Sequence, residues 1–313
     1  MPLPHQQAAL AALFQRILEA PSPFYRHRLH AVGRSSAGDH ECGTLARMQL
    51  THRDDLLDDQ LQHLPHGTRR FPNASHPVRT GISGSGASLL VLTWTAADLA
   101  GERAAGTHLL ERLGVTPGMR VANTLPGALS SPGSLLLGDV VEELGALDIP
   151  LGVVDGDAAA RSAWELLDRV HPDVVILDGA SAARMFADTP TATRGWWRGI
   201  VWLRTGNDVA APPSPPPAAG FAGWQRLWLA VAEATSFVAY SCAAARLHTL
   251  DHAVIEVVDE ASGAPCATGE VGTLVVTPLA GDTPLLRYAS SVRVRVAAPP
   301  CRCGAHDAGF ELI

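Results

Sequence analysis

The chain contains no lysine, although it is 313 residues long, and all 24 of its basic residues are arginine. Codon bias in a GC-rich genome is the simplest interpretation of this absence, since surface lysine exchanges for arginine at little energetic cost. Whatever its origin, the absence excludes every reaction that needs an ammonium group from a side chain.

Three further absences narrow the class of protein. No basic run occurs and the formal net charge is -7, which argues against a nucleic-acid partner. No stretch of eighteen apolar residues occurs, and residues 1–13 lack the basic head and cleavage site of a signal peptide, so we expect no membrane partner. The five cysteines are odd in number and unevenly spaced, which suits free or metal-bound thiols better than a disulfide framework. The sequence predicts a soluble, cytoplasmic protein.

The whole chain is 47% hydrophobic and 18% charged, which is typical of a globular protein. Alternating strand and helix patterns occupy its middle part. This βαβ rhythm predicts an α/β fold, with a mostly parallel sheet covered by helices on both faces. Strands are predicted at 89–95, 120–125, 150–154, 173–177 and 199–203, and helices at 96–113, 133–147 and 158–171.

The N-terminal part of the chain is helical in pattern. Residues 6–32 repeat apolar positions at helix spacing until Pro21 and Pro23 interrupt them. Thr51 is a predicted helix N-cap, with Asp54 three residues later as a carboxylate variant of the capping box.

The C-terminal part has a different sequence pattern. Residues 211–219 are too proline-rich for a helix or a strand. Predicted strands at 253–258 and 272–278 form a hairpin with a long loop. We therefore expect an α/β domain over residues 1–250 and a small β-rich subdomain over residues 251–313.

Several stretches of the chain have distinctive sequences. Residues 248–288 begin with HTLDHAVIEVVDE and continue through GEVGTLVVTPL to LLRY, and CRCG follows at 301–304. These letters resemble the phenylacetate–CoA ligase branch of the adenylate-forming enzymes, whose members carry "LH…DH…EIID", "GE.GELVVT" and "CPCGR". Weaker blocks occur in the family's order, namely SPFYRHRL (22–29), LTHRDDL (50–56, "KEDL" in the family), TPGMRV (116–121), ELGALDIPLG (143–152) and HPDVVIL (171–177).

The resemblance implies a large N-terminal domain with parallel and mixed sheets and flanking helices. It also implies a reaction, in which a carboxylic acid is activated by ATP and Mg²⁺ to an acyl-adenylate and then transferred to coenzyme A. The phosphate-binding loop of the family, "SGTT", falls on Ser83, Gly84, Ser85 and Gly86, where glycines free the backbone and hydroxyls add donors. An ordinary glycine/serine turn before a strand is the alternative interpretation.

The magnesium-binding acid implied by the resemblance is Glu233, because LAVAE at 229–233 stands where the family has "YGLTE". Leu229 replaces the tyrosine that would stack on adenine. The alternative is a glutamate in an ordinary helix.

Two other features of the family are missing. The ribose-binding aspartate corresponds to Val292, which cannot accept hydrogen bonds from a diol, a loss of on the order of 3 kcal/mol or more. The chain also ends where the family begins its C-terminal lid, so the lid and its lysine are expected to be absent. Losing one preorganised charge typically lowers a rate by roughly two to three orders of magnitude.

The cysteine pattern of the family is retained. Cys242 and His248 form C-x5-H, and Cys301 and Cys303 form C-x-C. Thiolate and imidazole in a set of four are the ligands that structural Zn²⁺ selects, so these residues predict a zinc site. His252 is an alternative to His248, and free buried thiols are the other interpretation.

Three functions follow from these patterns. The favoured one is a degenerate ligase-like protein that binds a small carboxylic acid or a nucleotide but does not adenylate efficiently alone. The second is an AMP-forming carboxylate–CoA ligase that is completed by a lid from another chain. The third is a non-catalytic protein that forms a homodimer or pairs with a full-length paralogue.

Overall fold

The computed structural model describes residues 4–32, 41–127, 131, 133–187, 196–206, 215, 221–305 and 309–313. Apart from Pro215, the proline-rich segment 211–219 lies outside these residues. The helices are α1 (Pro4–Glu19), α2 (Pro23–Val32), α3 (Glu41–Arg47), α4 (Arg53–Gln62), α5 (Ala96–Leu113), α6 (Ser134–Glu143), α7 (Asp157–Val170) and α8 (Gly179–Ala187). None of the described helices is long and apolar enough to cross a membrane.

The strands follow the predicted alternation. They are β1 (Arg79–Ser83), β2 (Leu90–Trp94), β3 (Arg120–Asn123), β4 (Leu147–Pro150), β5 (Val174–Leu177), β6 (Gly199–Thr205), β7 (Trp224–Val231), β8 (Thr235–Ser241), β9 (Leu247–Thr249), β10 (Ala253–Val258), β11 (Val271–Pro278), β12 (Tyr288–Val296) and β13 (Phe310–Leu312).

Eleven of the described strands form one mixed sheet, in the order β10-β11-β12-β13-β9-β8-β7-β6-β5-β3-β4. Strands β3 to β7 pair in parallel, and from β8 onward the pairs are antiparallel. The remaining two strands, β1 and β2, form a separate antiparallel hairpin. This is the predicted α/β architecture of a mixed sheet with flanking helices.

Helices cover both faces of the parallel half of the sheet. Strand β5 is buried throughout, and its alternate side chains enter two different apolar clusters. Val174 and Ile176 pack in the cluster beneath α5 and α6, whereas Val175 and Leu177 pack in the cluster beneath α7 and α8. A continuous apolar run is typical of a parallel strand covered on both faces.

Helix α5 has the bounds that its sequence predicts, because both of its ends are capped. The Asp98 N–H donates to Thr95 Oγ1 at 3.1 Å, and the Thr95 N–H donates to Asp98 Oδ2 at 2.8 Å. Gly114 ends the helix with a left-handed φ of 95°. These contacts are the capping box and the glycine stop that fix helix ends.

The predicted N-cap of α4 is wrong by one residue. His52 is the cap, and its N–H donates to Asp55 Oδ2 at 2.7 Å. The Thr51 hydroxyl instead donates to the carbonyl of Leu286 at 2.8 Å, which ties the chain to a distant loop. A tertiary hydrogen bond has replaced the local one.

Strand β4 precedes its predicted position of 150–154. Helix α6 ends at Glu143, and Gly145, with a φ of 77°, turns the chain early. Leu147–Pro150 then pairs with β3, so the predicted helix over 133–147 was too long at its C-terminal end.

The C-terminal strands continue the same sheet. Strands β10 and β11 form the predicted hairpin, with Ala253 opposite Pro278. Strand β12 pairs with β11, and β13 lies between β12 and β9. The division of the chain into residues 1–250 and 251–313 stays a prediction.

Candidate functional site

A cleft of about 570 Å³ opens at the carboxyl ends of the parallel strands. Its lining includes Asp178 just after β5, Thr205 and Gly206 at the end of β6, and Glu233 just after β7. The crevice outside the carboxyl ends of parallel strands is where open α/β sheets bind ligands. The cleft is therefore the first candidate site.

Glu233 lies in the turn between β7 and β8, so the alternative that it belongs to an ordinary helix is wrong. Its carboxylate is already engaged, because Glu233 Oε1 forms an ion pair with Arg53 Nη1 and accepts a hydrogen bond from Ser83 Oγ. The Glu233 side chain is 9% exposed and the Arg53 side chain 23%. The pair is therefore largely removed from water.

The Arg53 guanidinium, from the first turn of α4, fills the loop after β1. Arg53 Nη2 donates to the carbonyls of Ser83 and Ser88 at 2.8 and 2.6 Å, and Nη1 donates to Ser83 Oγ at 3.0 Å. Gly84 has a φ of 76°, and a Cβ there would collide with Arg53 Nη2 and the Ser88 carbonyl. Glycine therefore permits the close approach of Arg53, and the loop turns carbonyl oxygens toward a guanidinium.

The predicted loop residues divide into two pairs. Ser83 and Gly84 line the cleft beside Glu233, whereas Ser85 and Gly86 are exposed and are not among its lining residues. Gly86 begins a short 3-10 turn in which Ser88 Oγ donates to the Ser85 carbonyl at 2.9 Å. The structure thus brings Ser83 and Gly84 to the predicted acid, and leaves the other two outside.

Strand β12 forms another wall of the cleft. Tyr288, Ser290 and Ser291 line it. Val292 is 6% exposed and packs in an apolar cluster with residues of β8 to β13. Burial, and next the charge of Glu233, raises the pKa of the Tyr288 phenol, which keeps it protonated. This wall therefore offers hydroxyl groups to the cleft, whereas Val292 faces the apolar cluster.

Arg53 was not among the site residues predicted from the sequence, although a signal was present. The phrase LTHRDDL has arginine at position 53, within the stretch that is similar to the family's "KEDL". Asp178 was also missed, but its carboxylate has a local role. It accepts the N–H groups of Ala180 and Ser181 at 3.0 and 2.9 Å, which caps α8, and the Thr124 hydroxyl at 2.9 Å.

The second candidate site is the predicted set of Cys242, His248, Cys301 and Cys303. One ligand atom from each residue lies within 4.8 Å of the others. Three of the residues are buried, and Cys303 is exposed. His252, the alternative histidine, is not in this cluster but beside Thr235, with 3.3 Å between its Nε2 and Thr235 Oγ1.

The spacing within the cluster fits a tetrahedral ion. Cys242 Sγ and Cys301 Sγ are 3.7 Å apart, and Cys303 Sγ and His248 Nε2 are 3.4 Å apart. Zinc bonds of about 2.3 Å to sulfur and 2.0–2.1 Å to nitrogen give edges of about 3.8 and 3.6 Å in a tetrahedron. The backbone N–H of Cys303, helped by the side chains of Cys303, His248 and Cys242, lowers the pKa of the Cys301 thiol to about 6. A low thiol pKa favours the thiolate that binds metals.

Two tight turns present these ligands. Cys242 follows β8, where its N–H donates to the Arg246 carbonyl at 2.8 Å, and His248 lies in β9. Cys301 and Cys303 lie between β12 and β13, where the Gly304 N–H donates to the Cys301 carbonyl at 3.0 Å. The cluster therefore joins two stretches of chain that are distant in sequence.

Comparison with known proteins agrees with the architecture. The chain is 26% identical over 308 residues to the phenylacetate–coenzyme A ligase of Thermus thermophilus, a match that covers 94% of this chain and 65% of that protein. No protein-family model matches the chain. The chain thus spans slightly less than two thirds of the length of this relative.

Two solved structures show the same fold. An open conformation of 2-hydroxyisobutyryl-CoA ligase, in complex with 2-HIB-AMP and CoA, matches all of this chain and 69% of its own, with a TM-score of 0.82 and 18% identity. A long-chain-fatty-acid-CoA ligase from Archaeoglobus fulgidus matches 79% of this chain and 54% of its own, with a TM-score of 0.55 and 10% identity. The chain has the fold of the adenylate-forming ligases and is a sequence relative of phenylacetate–CoA ligase.

Proposed function

We propose that the chain is a degenerate relative of phenylacetate–CoA ligase, whose cleft binds a small carboxylic acid or a nucleotide but which does not adenylate efficiently alone. The observation that carries this proposal is the ion pair between Arg53 and Glu233 at the base of the cleft. The acid that corresponds to the magnesium ligand of the family is already neutralised by a side chain.

The pair opposes magnesium binding. Mg²⁺ is held in proteins mainly by carboxylates and substrate phosphates and demands near-ideal octahedral geometry. Arg53 and the Ser83 hydroxyl occupy one oxygen of the Glu233 carboxylate, so the ion must either displace them or bind the other oxygen beside the positive charge of Arg53, which repels it. Breaking a buried ion pair costs about 3–5 kcal/mol when one partner is left without compensation. Release of Arg53 would also undo its hydrogen bonds to the loop carbonyls.

The same residues support anion binding. Arg53 carries a positive charge into the cleft without any metal, and a guanidinium pairs well with carboxylates and phosphates. The Val292 side chain has no oxygen to accept hydrogen bonds from the ribose hydroxyls of a nucleotide, so nucleotide affinity is expected to be weak.

ATP–pyrophosphate exchange tests the proposal. The purified chain, with ATP, Mg²⁺ and a series of aryl and alkyl acids, is expected to show no exchange above that of Glu233→Ala. Robust exchange that Glu233→Ala abolishes would overturn the proposal and establish an active ligase.

Two additions resolve the alternatives. Exchange that appears only when a lid fragment of a phenylacetate–CoA ligase is supplied would establish a ligase completed by a second chain. If neither acids nor nucleotides raise the melting temperature, the cleft is not a ligand site. The chain would then be a partner protein, which co-purification with a full-length paralogue would support.

We also propose that Cys242, His248, Cys301 and Cys303 bind a structural Zn²⁺ ion. All four positions of a closed tetrahedral site are filled by protein ligands, which leaves no open position for a reacting molecule. The ion would fasten the turn before β13 to the end of β8 and to β9.

A further inference from the structure

A second cavity, of about 130 Å³, lies on the other side of Glu233 from the cleft. Its walls are the first turns of α5, the turn between β7 and β8, the loop after β11, and Arg69. Ala232 and Glu233 line both cavities, so this turn separates them. Nothing in the proposed function uses this second space.

The Arg69 guanidinium forms no hydrogen bond and no ion pair with any residue that the structure describes. Burial lowers the pKa of Arg69, and the nearby Tyr25, Asp59, Tyr288 and Glu233 oppose that effect. An arginine keeps its charge in proteins, and the Arg69 side chain is half-buried, so an anion that enters the cavity would offset the partial loss of hydration of the guanidinium.

We propose that this cavity binds a small monocarboxylate anion, held by the guanidinium of Arg69. The proposal goes beyond the function assigned to the cleft, because it concerns a separate site. A planar guanidinium offers two parallel donors to one carboxylate. The Thr235 hydroxyl and the His252 ring also line the cavity and supply further polar contacts.

The charges around the cavity favour a monoanion over phosphate. Asp98 and Glu102 line it together with Glu233, and Arg69 is the single cation among its lining residues that the structure describes. Glu233 is already paired with Arg53, and Asp98 accepts the N–H groups of Thr95 and Asp282. A dianion would meet more negative charge than one guanidinium offsets.

The remaining titratable groups in the wall are held close to neutral. Burial raises the pKa of Glu102, which accepts the Ser236 N–H at 3.0 Å, and this favours the uncharged carboxylic acid. Burial lowers the pKa of His252 to about 4, so the imidazole is uncharged near pH 7. The small volume, well under that of the cleft, restricts the anion to a few heavy atoms.

Solvent reaches the cavity past the start of α5. Ala97 and Gly101 line it and are exposed, and Ala280 faces them from the loop after β11. A Cβ added at Gly101 would meet nothing within 4 Å, so a larger side chain fits there and would extend over the mouth. Gly101 therefore provides a way to block the cavity without altering Arg69.

The first experiment compares propionate with propionamide, which has the same size but no charge. Isothermal calorimetry or thermal shift of the purified chain should show saturable binding of propionate only. Arg69→Leu should weaken that binding by at least about tenfold, because a charge-assisted pair is lost. Arg70→Leu, which removes a neighbouring arginine outside the cavity lining, should leave it unchanged.

The second experiment keeps Arg69 and blocks its access. Gly101→Leu should abolish propionate binding, whereas Ala100→Leu, on an exposed position of the same helix outside the cavity lining, should retain it. This pair decides the matter even if Arg69→Leu fails to fold. Equal binding by Gly101→Leu and Ala100→Leu, or equal response to propionamide and propionate, would overturn the proposal.

The cleft is monitored separately. The double variant Arg53→Met/Glu233→Gln removes both charges of the cleft pair and leaves no unpaired carboxylate beside the second cavity, so it should not weaken propionate binding there. If this double variant abolishes that binding while Gly101→Leu leaves it intact, propionate binds in the cleft, which supports the proposed function and refutes this one.

Discussion

The cysteine/histidine cluster and the cleft preserve the family pattern in opposite ways. In the cluster, four ligand atoms lie within 4.8 Å of one another, and every position predicted for a metal ligand is filled. In the cleft, the overall shape is present at the strand ends, but Glu233 is paired with Arg53 and Val292 is buried among apolar side chains.

Under the proposed function, the two regions differ in what they require. A structural metal would need only geometry, which the backbone of two turns provides. Adenylate formation would need charges that are free to meet a substrate, and the ion pair between Arg53 and Glu233 engages one of them. The cluster therefore predicts a large stability effect, whereas the cleft predicts weak ligand binding.

Removal of the metal should have the largest effect. A zinc chelator, or Cys301→Ser, is expected to lower the free energy of unfolding by about 5 kcal/mol or more, since binding energy at a structural zinc site is folding energy. For a chain of this size, that is roughly 10 °C or more in melting temperature. Elemental analysis should find one zinc per chain.

Cys266→Ser is the matched control, because Cys266 lies outside the cluster. Its melting temperature should stay within about 2 °C of the wild type. A metal-free protein that melts at the same temperature as the purified one would contradict the zinc proposal and remove the contrast between the two regions.

Placing at position 292 the aspartate that the similar family carries should not restore nucleotide binding in the cleft. Val292→Asp places a carboxylate in the apolar cluster, so we expect a loss of about 3–5 kcal/mol by chemical denaturation and no gain in ADP affinity. Ser291→Asp puts the same group on the neighbouring, exposed position and should cost about 1 kcal/mol or less. Tighter ADP binding by Val292→Asp would show that the cleft is one substitution from function.

The ion pair at the base of the cleft should be strongly coupled. In a double-mutant cycle, Arg53→Met and Glu233→Gln are expected to cost about 2–4 kcal/mol singly, with an interaction energy of about 1–3 kcal/mol. The more exposed pair Arg79–Asp139, at 3.0 Å, is the control and should give less than about 1 kcal/mol. Equal interaction energies would mean that Arg53 leaves Glu233 available to a metal.

Mild acid should produce the smallest effect. Burial lowers the pKa of His252 to about 4, below its ordinary value near 6.5, so the unfolded chain binds a proton that the folded chain does not. Stability is then lost as the pH falls from about 6.5 toward 4, by about 2 kcal/mol between pH 7 and pH 5. His252→Gln should remove this part of the pH dependence, whereas any part that comes from metal loss should remain. An unchanged slope in His252→Gln would place the titrating group elsewhere.

The sequence predicted the parts of the molecule that local rules determine. Thr95 and Gly114, for example, determine both ends of α5. The convergence of Cys242, His248, Cys301 and Cys303 is a long-range feature, and it was predicted from the cysteine and histidine pattern that the chain shares with the family it resembles. Gly145 is a local stop signal for α6, and a helix that ends before it places β4 correctly.

The pairing of Arg53 with Glu233 could not be predicted in this way. The two residues are 180 positions apart, and their contact depends on how α4 packs beside the ends of β1 and β7. The cap of α4 differed for the same reason, because Thr51 is bound to Leu286, 235 positions away. Local patterns determine elements, whereas these contacts exist only once the sheet is assembled.

The position of β13 in the sheet has a consequence for how the protein is made. Residues 310–312 lie between β9 and β12, with Phe310 opposite Leu247 and Leu312 opposite Val294. Because chains emerge from the ribosome with their N-terminal residues first, β9 and β12 are both synthesised before the strand that joins them. Until then each presents an unpaired strand edge, the kind of surface on which chains aggregate. The continuous sheet from β10 to β4 is therefore complete only once residues 310–312 have joined it.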